Sequence, residues 1–340
     1  MRPAFHPRVI NGPFADPGLF IPFMFRNRAL IFDLGDAAPL SNRDVLKITH
    51  AFVTHAHMDH FIGFDRLLRL FLGREKTLSV YGPEGFLRNL EGKLGGYAWN
   101  LAAHYRNAFV IHAVEVRGEE TIRRTYDCRD RFRRSGEDLR RPFSGDLLTE
   151  PAFTVSAAVL DHGIPCLGFV LRERFHINIL KDRVGELGLS IGPWLNRFKA
   201  ALYSEVPMDA PVNAPGADGG ERTFSLGDLS RQIARITPGQ TAAYFTDAAY
   251  SPENVEKMTD LARGADHLFI EAAFLEADAD LAREKRHLTA RQAGRIAGRA
   301  GVKGLTVFHF SPRYTDRPHL LREEAEAAWR GAADGVRVRP

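Results

Sequence analysis

THAHMDH, residues 54–60, puts four side chains of metal-ligand type, His55, His57, Asp59 and His60, within six positions. The stretch follows ITHAFVT (48–54), a β-branched apolar run of strand length. Alternate residues of an extended segment face the same way, so His55 and His57 share one side. Asp59 and His60 then turn toward a second position, and one short loop can serve two adjacent cations. Imidazole and carboxylate donors suit zinc, manganese or iron. Two such ions about 3.5–4 Å apart can generate a hydroxide and stabilise a leaving oxygen. A polar loop with satisfied histidines is the bland alternative; the density of the pattern and its place after a buried strand count against it.

The surroundings read as alternating strands and helices. Residues 28–34 (RALIFDL) form a strand pattern ending at Gly35-Asp36, and 64–72 carry apolar residues at helical spacing, Phe64, Leu67, Leu68, Phe71 and Leu72. LSVYGPEGF (78–86) reads as strand, Gly-Pro turn and helix start. Strands are expected at 154–160, 167–173, 241–246, 267–270 and 304–308, and helices at 252–263 and 289–300, with Thr289 as cap and Gly264 as stop. Such alternation points to an α/β layered fold. Residues 117–141 hold nine Arg and six acids without an apolar period, which suggests a short strand pair with basic loops. The Pro- and Gly-rich stretch 207–220 reads as a loop, within a Gly/Pro-containing arm or loop region at about 174–240 of a single 1–340 domain.

Composition sets bounds. Of 340 residues, 44% are hydrophobic and 26% charged, an ordinary globular balance. No apolar run is long enough for a membrane span or a signal peptide, so a cytoplasmic protein without membrane partners is expected. Cys128 and Cys166 form no metal or disulfide pattern and read as reduced core residues. The net charge of +4 says little, but residues 283–322 hold ten Lys/Arg against two acids, a field that favours an anionic substrate or nucleic acid.

Further ligand candidates stand at strand ends: His162, Asp247 and His309. The series HxHxDH, a later His, a later Asp and a C-terminal His resembles the metallo-β-lactamase superfamily. The run HLTARQAGRIAGRAGVKGLTVFHFSPRY (287–314) is similar to the ribonuclease Z family, endonucleases that remove the 3′ trailer from precursor tRNA. FTD (245–247), FIEAAF (269–274) and DHGIP (161–165, followed by Gly168) are similar to further blocks of that family. The resemblance implies a four-layer αβ/βα sandwich and hydrolysis of a phosphodiester by metal-bound hydroxide. It implies two divalent metals, with zinc expected and manganese or iron the alternatives. His55, His57 and His162 would hold one metal, Asp59, His60 and His309 the other, with Asp247 between. Asp59 would also take a proton from the attacking water. His287 would serve the leaving 3′-oxygen, with Glu271 orienting it. Precursor tRNA is the implied partner, and a homodimer the implied assembly.

The chain departs from the family in places. VINGPFADPGLF (9–20) stands where the family opens F-L-G-T-G, Gly35-Asp36-Ala37 replaces a G-E-G-T turn, and Ile270 replaces a histidine. Gly192-Pro193-Trp194 resembles the start of the family's tRNA-gripping arm, although 172–205 has only six Lys/Arg against four acids. Arg291, Arg295 and Arg299 share a helix face and Arg313 lies four residues past His309; Arg313, Arg291 and Arg295 are candidate phosphate contacts. Among Arg123, Arg124, Arg129, Arg131, Arg133 and Arg134, the interleaved Tyr126 and Phe132 read as local packing before base stacking. The rival readings are a hydrolase of a small cyclic phosphodiester, ester or lactone, and a non-catalytic metal-stabilised RNA-binding protein.

Overall fold

Every residue of the run Ala29–Phe32 is buried, as a strand covered on both faces of a layered fold must be. In the computed structural model, which describes residues 4–24 and 27–337, this run is the third strand of an eight-stranded sheet whose strands lie in sequence order. They are β1 (Arg8–Val9), β2 (Leu19–Pro22), β3 (Ala29–Phe32), β4 (Ile48–Phe52), β5 (Lys76–Gly82), β6 (Phe109–Arg117), β7 (Glu120–Asp127) and β8 (Arg134–Pro142). β3 to β6 run parallel and the flanking strands antiparallel. Helices α1 (Asn42–Val45), α2 (Met58–Phe61), α3 (Phe64–Phe71) and α4 (Phe86–Gly95) fall within this sequence. The face of α3 read from its spacing, Phe64, Leu67, Leu68 and Phe71, packs in one cluster with Ile31, Val53, Val80 and Ile111 of the sheet.

The chain then forms β9 (Asp146–Glu150), β10 (Phe153–Asp161) and β11 (Pro165–Glu173) and enters residues 172–240, which with 148–154 make a compact unit of their own. That unit holds the pair β12 (Phe175–Ile179) and β15 (Ala234–Pro238), the hairpin β13 (Pro211–Pro215) and β14 (Glu221–Ser225), and helices α5 (Lys181–Glu186), α6 (Trp194–Tyr203) and α7 (Leu226–Ile233). Ile177, Trp194, Phe198, Leu226, Leu229 and Ile233 form its core. The loop expected at 207–220 is therefore corrected: 211–215 is a strand. Val212 pairs across to Phe224, both pack on the unit's core, and Asp218 Oδ1 accepts from Gly220 N at the turn. Alternation at only two or three apolar positions among Pro and Gly left no readable period. The segment 117–141 likewise exceeds a short pair, since β7 and β8 join β6 in one long antiparallel run.

After 240 come β16 (Thr241–Phe245), α8 (Pro252–Leu261), β17 (His267–Glu271), α9 (Ala279–Lys285), α10 (Ala290–Ala300), β18 (Leu305–Phe308) and α11 (Pro318–Arg337). These strands complete a six-stranded sheet in the order β18-β17-β16-β11-β10-β9, with β16, β17 and β18 parallel. Thr289 caps α10 in a reciprocal capping box with Gln292. Met258, Ile296 and Leu321 of the outer helices pack beneath this sheet. Between the two sheets, Phe32 and Phe52 meet Phe169 at 5.3 and 5.7 Å, and Phe32 meets Tyr244 at 5.8 Å. Helices, sheet, sheet, helices is the expected four-layer sandwich.

One close approach fixes the loop that follows β4. Leu34 N donates to His60 O at 2.9 Å and Gly63 N to Leu34 O at 2.8 Å, so α2 lies against the end of β3. A Cβ at position 63 would stand 2.1 Å from Gly35 O, backbone that cannot swing aside. Gly63→Ala is expected to cost about 1–3 kcal/mol of stability, as overpacking does. Urea unfolding checks this, and an unchanged midpoint would show that the α2–β3 contact is slack.

Candidate metal centre

Strand ends bring the ligand-type residues to one edge of the sandwich. His55 follows β4, His162 follows β10, Asp247 follows β16, Glu271 ends β17 and His309 follows β18. Ligand atoms of His55, His57, His162 and Asp247 lie within 4.8 Å of one another, as do those of Asp59, His60 and His309. These are the two sets expected from the sequence. Asp247 stands between them: its Oδ2 is 3.5 Å from His55 Nε2, 3.4 Å from His60 Nε2 and 3.5 Å from His162 Nε2, while its Oδ1 is 3.2 Å from His309 Nδ1. Asp59 Oδ2 lies 3.4 Å from His60 Nε2 and 3.3 Å from His309 Nε2.

The rings are turned by hydrogen bonds on their far sides. His60 Nδ1 donates to Asp33 Oδ2 at 2.9 Å, and His162 Nδ1 to the Arg286 carbonyl at 2.9 Å. Thr54 Oγ1, whose own proton goes to Asp33, accepts from His55 Nδ1 at 3.1 Å. In each case Nε2 is left with its lone pair facing the cluster, the arrangement that outer partners impose on metal-ligating histidines. Asp33, wholly buried, also accepts from Thr54 N at 2.7 Å and from the Tyr244 hydroxyl at 3.0 Å. The sequence reading missed Asp33; its signal is an acid closing an otherwise apolar strand. Asp33, Asp247 and His309 have φ of +56°, +50° and +59°. Left-handed backbone in non-glycine residues is strained, and here it recurs at three strand ends facing one site.

The charges fit a cation. Asp33, Asp247 and Glu271 are buried and Asp59 half-buried. Burial, then the neighbouring His60, holds the His55 imidazole down to about 2, a neutral ligand. Burial would lower His309 as well, but Asp247, Asp59 and Glu271 push it up to about 10. Burial is likewise outweighed at His60, which Asp247 and Asp33 raise well above the histidine range. Surplus carboxylate charge thus pulls protons onto ring nitrogens that a cation would neutralise instead. Three buried ring nitrogens, His55 Nε2, His60 Nε2 and His309 Nδ1, have no hydrogen-bond partner. Orphaned buried polar atoms are costly, and histidine nitrogen with carboxylate oxygen is the donor set of zinc, manganese and iron sites. The cluster offers the donor set of a divalent-metal site.

His287 and Glu271 stand at its rim. His287 Nδ1 donates to Glu271 Oε2 at 2.7 Å, and Glu271 Oε1 accepts from Ala248 N at 2.8 Å. The His287 ring lies 5.0 Å from His162 and 5.6 Å from His309. Burial opposes protonation of His287, yet the Glu271 carboxylate raises its pKa above the ordinary value. Arg291, Arg295 and Arg299 share the exposed face of α10, and Arg313 pairs with Asp278 at 3.3 Å. Tyr126 and Phe132 pack in the core. Arg124 is held by Asp138 and Glu91, Arg129 by Asp127 and Arg134 by Asp138. Cys128 and Cys166 are buried and free.

No protein-family profile matches the chain. Ribonuclease Z of Deinococcus radiodurans is 33% identical over 292 residues, 84% of this chain and 83% of that protein. Ribonuclease Z of Thermobifida fusca is 32% identical over 303 residues, 88% and 80%. Among solved structures, the metallo-β-lactamase fold protein YhfI from Bacillus subtilis superposes with a TM-score of 0.52 at 16% identity, covering 95% of this chain and 94% of its own. A long form RNase Z from yeast gives 0.50 at 12% identity, covering 91% of this chain and 38% of its own. These two likenesses bear on the fold.

Asp33 reaches the ligand cluster through His60 and Thr54. Asp33→Asn is expected to weaken metal binding by about 10–100-fold, measured by competition with a chelator. Affinity equal to that of the unaltered protein would remove Asp33 from the centre's support.

Proposed function

The chain belongs to the ribonuclease Z family, and we propose that its metal centre holds two divalent cations, zinc first among them, and uses His287 as the acid that releases the product. The protein is a metal-dependent endoribonuclease of the metallo-β-lactamase fold that processes the 3′ ends of precursor tRNA. The observation that carries the residue assignment is the His287–Glu271 pair beside the two ligand sets. His55, His57 and His162 would hold one cation, Asp59, His60 and His309 the other, with Asp247 shared. Bound there, the cations would lower the pKa of a water and offset charge on the phosphate.

The chain's own groups do the rest. Asp59 is half-exposed, beside His60 and His309, and takes a proton from the attacking water. Glu271, buried and anchored by Ala248 N, holds His287 Nδ1–H and favours the protonated imidazole. His287 Nε2 is then the atom that donates a proton to the leaving 3′-oxygen. The excess of Lys and Arg over residues 283–322 supports an RNA substrate through its field. The compact unit built on residues 172–240 would be the counterpart of the arm that the resemblance implies. No helix among the described residues is long and apolar enough to cross a membrane. A cytoplasmic, homodimeric enzyme remains part of this reading as what the family resemblance implies.

The test is cleavage of a precursor tRNA carrying a 3′ trailer, with zinc or manganese added. Cleavage just after the discriminator base is expected; turnover of bis(p-nitrophenyl) phosphate alone would move the substrate away from tRNA. His287→Ala should keep its metal, by elemental analysis, and lose about 100–10,000-fold in rate. Loss of metal in that variant would make His287 a ligand instead. His60→Ala should abolish turnover while circular dichroism stays native, and near-normal activity would sink the ligand assignment.

A further inference from the structure

The N-terminal loop that departs from the family pattern builds one wall of a cavity against the metal centre. The cavity measures about 340 Å³, and Phe14, Phe274, Phe310, Lys285, His287 and Asp59 are among the residues that line it. Pockets of about 300–1,000 Å³ take small ligands, so this one admits a single nucleoside and little more. Phe274 and Phe310 are buried walls and Phe14 is half-buried at the mouth. Lys285 is exposed at the rim.

Phe14 is set in place by the backbone around it. Phe310 N donates to Pro13 O at 2.7 Å, and Ala15 N to Gly12 O at 3.1 Å. Asn11 Nδ2 spans the loop, donating to Asp16 O at 2.7 Å and Asp36 O at 2.9 Å, and Gly35 N donates to Pro17 O at 3.1 Å. The ring stands edge-to-face on Phe310, centroids 5.5 Å apart and planes at 80°. A loop tied by these five hydrogen bonds loses little entropy when a flat ligand slides against its aromatic side chain.

We propose that this cavity binds the nucleobase on the 5′ side of the scissile phosphate, the discriminator base of the precursor tRNA, against Phe14. The inference rests on the reading above, in which His287 protonates the leaving 3′-oxygen. That oxygen belongs covalently to the 5′ nucleoside, so the ribose of that nucleoside must lie at His287, and His287 is itself part of the cavity wall. Its base then falls among the phenylalanines, which offer flat apolar surface to any of the four bases, and Lys285 stands at the mouth where the preceding phosphate would pass. The site therefore selects for the presence of a stacked base more than for its identity.

The experiment compares cleavage of precursor tRNA with an intact discriminator nucleotide, with an abasic residue there, and with an abasic residue at the first trailer position. The unaltered protein is expected to lose about tenfold in kcat/KM on the first abasic substrate, the scale of one stacking contact, and under twofold on the second. Phe14→Ala should discriminate less than twofold between intact and abasic discriminator, and Phe14→Tyr should restore the preference. Ratios within each variant are unaffected by a general loss of folded protein. An undiminished preference in Phe14→Ala overturns the inference while leaving the processing activity standing. So does a preference that Phe14→Ala erases at the trailer position instead, which would place the 3′ nucleotide in the cavity. If the unaltered protein cleaves no precursor at all, the tRNA-processing reading itself falls, and the pocket assignment with it.

Discussion

A carboxylate without solvent contact, Asp33, ties both sheets to the metal centre. It receives Thr54 N and Oγ1 from the loop after β4, His60 Nδ1 from α2, and the Tyr244 hydroxyl from β16 of the opposite sheet. A buried carboxylate without donors is prohibitively costly, and four donors on three residues hold Asp33 between the sheets. They set the rotation of the His60 ring and, through Thr54, that of His55. The same constraint extends outward: Asp247 and Glu271 are buried in their turn, and the imidazoles around them are either driven neutral, as His55 is, or pulled toward protonation, as His309 is. A bound cation would take the place of those protons, accepting the imidazole nitrogens and the carboxylates together.

The four loop residues of the centre were legible because they are contiguous and follow a strand. His162, Asp247 and His309 were legible only in company, since a lone polar residue after a strand is usually a cap or a turn. Asp33 was not, although it sits in a plain strand pattern: its meaning depends on Tyr244, 211 residues away. The helix face of α3 and the cap at Thr289 followed from spacing and local chemistry. The hairpin of β13 and β14 did not, because its packing rests on Val212, Ala214 and Phe224 among prolines and glycines. The long β6–β7–β8 run was hidden by arginines that lie on its exposed side and pair with acids of the same strands.

The departures from the family's sequence pattern have structural counterparts near the chemistry. Where the opening motif is missing, Asn11 to Pro17 form a tied loop that delivers Phe14 beside His287 and His309. Gly35 stands where a Cβ would strike Pro17 O at 2.5 Å, which ties this loop to the turn that follows β3.

The account depends most on the claim that buried carboxylate charge is balanced by cations bound to the folded chain. Elemental analysis of the purified protein, paired with cleavage of precursor tRNA as metal is stripped and restored, measures it directly. The account predicts two divalent ions per chain, with activity lost on chelation and regained in step with their return. Full activity in protein stripped of metal, or in protein holding a single ion per chain, would contradict it.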